Sequence, residues 1–354
     1  MKGISTFLVF GCCVIHLFAT EEGRTVISLM KKLKQFFLII CSLWVFSSCG
    51  HQPQPVSVIF DTDMGPDYDD VGALAMLHAM ADKGEANILA TVSSNMYDKA
   101  APCIEIINTY FKRPDIPLGA PRKGPNMIEA RFIGHEYWPD ILTSKYPHKV
   151  KSSADAPDAV DVYRRILAAQ PDTSVTIITV GFFTNAAALL RSPPDQFSDL
   201  DGKSLVKKKV RKLVSMGGAI PRGREFNVQT DSTASVIVFN EWPTPVLISG
   251  FDIGREILTG LRLVASDIQN SPVKDAYAMG LKFDVNGRQS WDQTTVLVGV
   301  HGAHPYFDTV KGRMIVQPDG SNSWQNDPNG PHERLIWKKD ELTRLIEDMM
   351  MHLP

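Results

Sequence analysis

The sequence predicts an α/β fold, a mostly parallel sheet flanked by helices on both faces. Three observations predict it. Short β-branched and aromatic runs alternate with stretches of helical spacing along most of the chain. The composition is that of a globular protein, 44% apolar and 21% charged, which excludes a disordered or fibrous chain. With 354 residues there is enough material to cover both faces of a large sheet. Lys and Arg number 37 against 39 Asp and Glu, and this balance argues against a general nucleic-acid binder, which carries a basic excess.

Residues 1–49 read as an export segment rather than as part of the fold. Lys31, Lys32 and Lys34 form a positive region, and Phe36 to Phe46 is an apolar stretch shorter than the roughly 20 residues of a membrane-spanning helix. Ser47 and Ser48 then precede Cys49. The pattern resembles a bacterial lipoprotein signal, in which Cys49 becomes the lipidated first residue and the protein is anchored to the cell envelope. The alternative is a cleaved secretory signal with an incidental cysteine. A second apolar stretch fills residues 1–29, so Met30 is a candidate start. Residues 50–55 read as a tether and 56–354 as one domain. Of the 5 cysteines only Cys103 lies in that domain, where it reads as a small core residue.

Along the body, Val56 to Phe60 reads as a buried strand, followed by a helix from Asp69 to Met80 with Val71, Leu74, Ala75 and His78 on one face. Asn87–Val92 is the next strand and Pro102–Phe111 the next helix. Residues 121–151, rich in Pro, Gly and aromatics, read as a loop over the site. Val175–Val180 is a strand and Thr184–Leu190 a helix. Lys207 to Lys209 reads as a solvated turn, Lys209–Met216 and Pro245–Ser249 as strands, Thr233–Asn240 as the helix between them, and Asp340–Met350 as the last helix. His301 and His304 fall at a helix end or turn. In such folds, sites gather beyond the carboxyl ends of the strands.

One segment of that kind stands out. Asp61-Thr-Asp63-Met-Gly65-Pro-Asp67-Tyr-Asp69-Asp70 packs five carboxylates into ten residues between a buried strand and a helix. Charges this close repel strongly unless neutralised. A helix N-terminus offsets about half a unit of charge, so a divalent cation is implied. Hard oxygen donors favour Ca²⁺ or Mg²⁺, and several carboxylates in one flexible site suit Ca²⁺ better.

The run resembles the fingerprint of the inosine–uridine-preferring nucleoside hydrolase family, DxDxGxDD after a strand. Here two extra residues precede the final pair, so Asp61, Asp63, Asp69 and Asp70 match. Five further stretches follow in the family's order: Thr91-Val-Ser-Ser-Asn95, Gly181-Phe-Phe-Thr184-Asn185, Met216-Gly-Gly218, Glu225-Phe-Asn227 with Asp231, and Asp292. The resemblance implies the family's Rossmann-like fold and hydrolysis of the N-glycosidic bond of small ribosides, not nucleic-acid polymers. It implies one Ca²⁺ per subunit and a homo-oligomer. The ion would be held by Asp63, both oxygens of Asp70, the backbone carbonyl of Thr184 and Asp292. Asp63 would be the catalytic base toward a water activated by the ion. Asp69, Asn95, Glu225 and Asn227 would bind the ribose, with Asp61 supporting the ligands.

Plainer roles stand beside these: turn residues for Asn95 and Asn227, a helix N-cap for Thr184, an exposed loop acid for Glu225. Asp67 lies in the inserted pair and is either a further site residue or a turn residue. Two positions depart from the family. Where many members carry a histidine that protonates the leaving base there is Trp291, which stacks but delivers no proton. A ribose-binding asparagine is replaced by Ala219. His135 falls where the family has a mobile flap with a histidine, and Arg288, close to Trp291 in sequence, is a candidate contact for an anionic group. Two other functions remain open at this point: a member that binds sugar or nucleoside without turnover, and a haloacid-dehalogenase-type phosphotransferase with Asp61 as nucleophile, Asp63 as acid and Mg²⁺ as ion.

Overall fold

The structure is a computed structural model that describes residues 54–122, 128–131, 137–338 and 342–354. The export segment with Cys49, most of the tether, and His135 lie outside the described residues. Among those described, no helix is long and apolar enough to cross a membrane.

The chain from Gln54 to Pro354 forms one unit. It opens with strand β1 (Val56–Thr62), helix α1 (Asp69–Asp82), β2 (Ala86–Ser93), α2 (Ala100–Tyr110) and the short β3 (Leu118–Gly119). Then come α3 (Trp138–Lys145), α4 (Ala159–Ala169), β4 (Val175–Thr179), α5 (Thr184–Arg191), α6 (Gly202–Lys209) and β5 (Val210–Met216). After β6 (Arg222–Gly223), α7 (Phe226–Thr230) and α8 (Ser232–Glu241) lie β7 (Val246–Ser249), α9 (Phe251–Gly254), β8 (Leu258–Thr259) and α10 (Leu261–Ala265). The last part holds α11 (Pro272–Gly280), β9 (Arg288–Gln289), α12 (Trp291–His301), β10 (Asp308–Val316), β11 (Asn322–Asn326), β12 (His332–Ile336) and α13 (Leu342–Met350).

The main sheet runs β3-β2-β1-β4-β5-β7-β12-β10-β11-β6. It is parallel from β3 through β12 and antiparallel beyond. β1 sits between β2 and β4, with Asp61 opposite both Val92 and Thr179. A strand so placed is covered on both faces, which is why Val58, Ile59 and Phe60 form a continuous apolar run and are fully buried. Each such side chain contributes about 1.5–3 kcal/mol by leaving water. One core lies under α1, α2, α11, α12 and α13, and a second under α4, α5, α6 and α8. Strand order grows one way from β1 to β2 and β3, and the other way from β4 to β5 and β7. The topological switch point therefore lies between the carboxyl ends of β1 and β4.

Three expectations change in the folded chain. Helix α1 has no solvated face: Asp69 through Met80 are all buried, because α12 and α13 pack on it besides the sheet. Lys207–Lys209 is not a turn but the last turn of α6, where basic side chains complement the helix C-terminus and Asp201 caps the start by accepting from Ser204 N. The segment 121–151 is not all loop, since α3 occupies Trp138–Lys145. The antiparallel strands β10–β12 carry mixed polar and apolar residues and gave no period-two signal. Cys103 is fully buried in α2, and burial pushes its thiol up, consistent with a packing residue.

Candidate active site

The acid-rich turn after β1 lies at the switch point. Gly65 holds the turn with φ of 144°, and a Cβ there would come within 3.0 Å of the Tyr97 ring. Asn95, just past β2, braces the turn from behind. Its amide donates to the carbonyls of Asp63 (3.0 Å) and Ala130 (2.8 Å), and its Oδ1 accepts from the amides of Tyr97 and Ala130, both at 3.0 Å. With its bonding capacity used on backbone, Asn95 does not line the cavity in front of the acids.

Beneath the turn runs Gly181. A Cβ on Gly181 would sit 2.3 Å from the Asp63 amide nitrogen and 2.8 Å from Asp63 Cβ. Gly181→Ala therefore pushes Asp63 out of place. The expected cost is about 100-fold in kcat from misplacement together with about 1–3 kcal/mol of stability from overpacking. Steady-state kinetics and thermal melts of the variant check both.

In front of the acids is a cavity of about 310 Å³ lined by Asp63, Asp67, Asp69, Asp292, Glu225, Asn227, Arg288 and Trp291, with Val180, Met216, Phe226 and Phe251 as apolar walls. The structure thus brings together residues 63, 67, 69, 225, 227, 288, 291 and 292, which lie far apart in the sequence. Asp70 is wholly buried beside them, its Oδ1 accepting from Thr62 Oγ1. Burial, reinforced by the charges of Asp67, Asp69 and Glu225, holds the Asp63 carboxyl well above its usual range. Asp70 is raised by burial and then by Asp63, Asp67 and Asp69. Asp292 is raised by burial and by the other four acids, Asp69 and Asp70 most. Asp69 is pushed up to about 7 by burial, against the opposing pull of Arg288.

These are mutually repelling carboxylates with unsatisfied lone pairs. Oδ2 of Asp69 and Oδ2 of Asp70 are buried without a hydrogen-bond partner. Oxygens from Asp67, Asp69 and Asp70 lie within 4.8 Å of one another. Oxygen-only donors of this number fit a hard divalent cation. Arg288 divides the set. It donates to Asp69 Oδ1 from Nε (3.1 Å) and Nη2 (2.8 Å) and pairs with Asp67 through Nη2. Asp67 thus lines the cavity and is tied to Arg288. Arg288 engages Asp69 through Oδ1 alone, so Oδ2 of Asp69 and Oδ2 of Asp70 stay available to a cation, while Asp63 and Asp292 lie outside the converging group.

Other residues take up different posts. Asp61 is 1% exposed, accepts from Tyr163 Oη (2.8 Å) and Asn185 Nδ2 (3.1 Å), and does not line the cavity. Burial pushes its carboxyl up to about 7 despite those donors. A group so enclosed cannot attack a substrate, which removes the phosphotransferase reading. Thr184 starts α5. Its hydroxyl donates to Asp231 Oδ2 (2.6 Å), and it lines a separate cavity with Val160, Arg164 and Asp231. Glu225 is not an exposed loop acid: it is 3% exposed and caps α7, accepting from the amides of Asn227, Val228 and Gly218 at 2.9, 3.0 and 3.1 Å. Asn227 donates to the Val180 carbonyl (2.9 Å). The Ala219 backbone is held in both directions by Asn322, at 3.0 and 2.9 Å. Trp291 stacks on Phe251 with centroids 4.9 Å apart, and its indole N–H is taken by the Phe251 carbonyl (2.8 Å).

Sequence reasoning missed Phe226 and Phe251, which are 46% and 37% exposed at the cavity wall. Phe226 sat inside the Glu225-Phe-Asn227 stretch. Nothing local marked Phe251, which reaches the site only through the fold.

The family model described as "Inosine-uridine preferring nucleoside hydrolase" matches residues 58–330. A pyrimidine-specific ribonucleoside hydrolase RihA of Salmonella enteritidis is 29% identical over 219 residues, 60% of this chain and 64% of that protein, so the chain spans just under two thirds of its length. The RihA of an Enterobacter species is 24% identical over 274 residues, 74% of this chain and 79% of the relative. Among solved structures, a purine-preferring ribonucleoside hydrolase from Gardnerella vaginalis superposes with a TM-score of 0.64 at 18% identity, over 83% of this chain and 96% of that one. An inosine–uridine-preferring nucleoside hydrolase from Bacillus anthracis gives 0.61 at 16%, over 83% and 99%. The two structures share the fold described above.

Proposed function

Because the chain belongs to the inosine-uridine preferring nucleoside hydrolase family, we propose that it hydrolyses the N-glycosidic bond of ribonucleosides or closely related ribosides. The observation that carries this reading is one cavity in which Asp63, Asp69, Asp292 and Glu225 meet, with Asp70 buried against them. Cleavage passes through a ribosyl cation with positive charge on the sugar. Preorganised carboxylates at low dielectric stabilise that charge as it develops.

The acid cluster around Asp70 supports a hard divalent cation, Ca²⁺ in this reading; Asp63, Asp292 and the Thr184 carbonyl would join Asp70 as its ligands by resemblance. When bound, the ion supplies a Lewis-acid centre that makes a neighbouring water more acidic. Asp63, which lines the cavity, takes the proton from the attacking water. Asp69, Glu225 and Asn227 bind the sugar hydroxyls. Asn95 keeps the Asp63 backbone in place from outside the cavity. Phe226, Phe251 and Trp291 give flat faces for the base. The lipoprotein-like segment ending at Cys49 supports a lipid-anchored enzyme on the bacterial envelope that takes part in nucleoside salvage.

Incubating the protein with uridine, cytidine, inosine and adenosine, with Ca²⁺ present, tests the reading. Free base and reducing sugar should appear in equal amounts from at least one of them. Trp291 and Ala219 favour a second reading, a binding member without turnover. Tight binding across the panel with no sugar released would establish that one instead.

A further inference from the structure

Cleavage leaves the base with an extra electron pair, and the site needs a group to receive it. Trp291 cannot serve, since its N–H is committed to Phe251. Among the described residues, Arg288 is the only basic side chain lining the acid cavity, and its side chain is 12% exposed. Its guanidinium lies 5.3 Å from the Tyr68 ring centroid and 5.1 Å from that of Trp291, so it is clasped between two aromatic faces. Asp69 and Asp67 hold Nε and Nη2. Nη1 has no hydrogen bond among the described residues. Asp284 lies 3.8 Å from it and already accepts from Tyr68 Oη at 2.7 Å. Asp67, one anchor of Arg288, lies in the pair inserted beyond the family fingerprint. Arg288 also forms the wall toward an adjoining cavity of about 270 Å³ bounded by Tyr68, Tyr137, Trp138 and Phe283. Fixed donors beside an otherwise acidic pocket have one obvious use, to receive negative charge that develops away from the sugar.

We propose that Arg288 contacts the departing base and stabilises it as an anion through hydrogen bonds from Nη1, in place of a proton-donating acid. The assignment rests on the hydrolysis reading above. The C1′–N bond breaks with both electrons passing to the base. The water oxygen bonds to C1′ and gives up its proton to Asp63, which returns it to solvent. The base, held by Arg288 as its anion, takes its own proton from solvent after release. The ligand class is a nucleobase whose charge collects on a ring nitrogen or carbonyl oxygen, as in uracil or hypoxanthine.

The test compares uridine and inosine with 4-nitrophenyl β-D-ribofuranoside, whose nitrophenolate leaves without assistance. In Arg288→Gln, loosening of Asp69 lowers kcat/KM for every riboside, and the nucleosides should fall by about 100-fold or more beyond the loss on the nitrophenyl riboside, the cost of losing one preorganised donor. Arg288→Lys keeps the charge but not the planar fork, and should show the same split at smaller size. It also keeps the test alive if the glutamine variant fails to fold. Equal losses on all three substrates, or no loss on any, overturn the assignment and leave Arg288 as a support for Asp69. A wild-type protein that cleaves none of the three overturns the hydrolysis reading, and this assignment with it.

Discussion

Replacing Asp63 by Asn should lower kcat by about 1,000-fold or more, as expected for removing a general base, and should leave the protein folded and at least as stable. The two halves of this expectation have one cause. Asp63 is buried among Asp67, Asp69, Asp70, Asp292 and Glu225, and their like charges raise the cost of ionising it. An amide keeps the shape and removes one repelling charge. Without the cation, the variant should gain about 1 kcal/mol, the usual sign when a functional strain is relieved. Nucleoside turnover and a thermal melt in the presence of chelator measure the two effects. A variant that retains a tenth of wild-type turnover would show that Asp63 is not the base.

The second large effect is that of removing divalent cation. EGTA should abolish turnover, and Ca²⁺ should restore it. At a hundredfold excess over its dissociation constant, Ca²⁺ should also stabilise the fold by about 3 kcal/mol. That stabilisation should be larger at pH 8 than at pH 5. Asp61 and Asp69 ionise near pH 7 when folded, against an ordinary 3.8. Between about pH 4 and 7 the cation-free folded state therefore binds more protons than the unfolded chain. Its stability from these groups is full below 3.8 and is lost as pH rises through 7, by about 1.4 kcal/mol per unit for each group. Ca²⁺ offsets the charge that appears on Asp69, and the carboxylates that hold the ion must shed their protons to do so, so its benefit grows over the same range. Asp61, sealed away from the cavity, titrates alike with and without the ion. His78 and His332 ionise near pH 4 when folded, below an ordinary 6.5, and pull the other way, losing stability as pH falls below 6.5. They act alike with and without cation, so the difference between loaded and chelated melts cancels them. A melting-temperature gain that is equal at pH 5 and pH 8 would count against a carboxylate site for the ion.

Much of the fold was legible because its central strands are covered on both faces and read as apolar runs. β1, β2, β4, β5 and β7 lie within a residue or two of where the sequence put them. The antiparallel edge was not legible, since β10 is exposed at alternate stretches and its partners are polar. Of the site, the acids of the first turn stood out by type and spacing, and Asp292 by its place in the family's order of motifs. Asn95 was marked by its stretch but not by its role, because hydrogen bonds to Ala130 and Asp63 depend on where two distant segments meet.

The sequence by itself determined the α/β class, the acidic turn after the first strand and the family. These are local matters of residue type, period and order. Only the tertiary structure decided that Arg288 clamps Asp67 and Asp69 across more than two hundred residues, that Asp61 is sealed behind Tyr163, and that Phe251 walls the cavity. Partners so distant in the chain are chosen by packing of helices on the sheet, and no pattern along the backbone encodes which side chains that packing brings face to face.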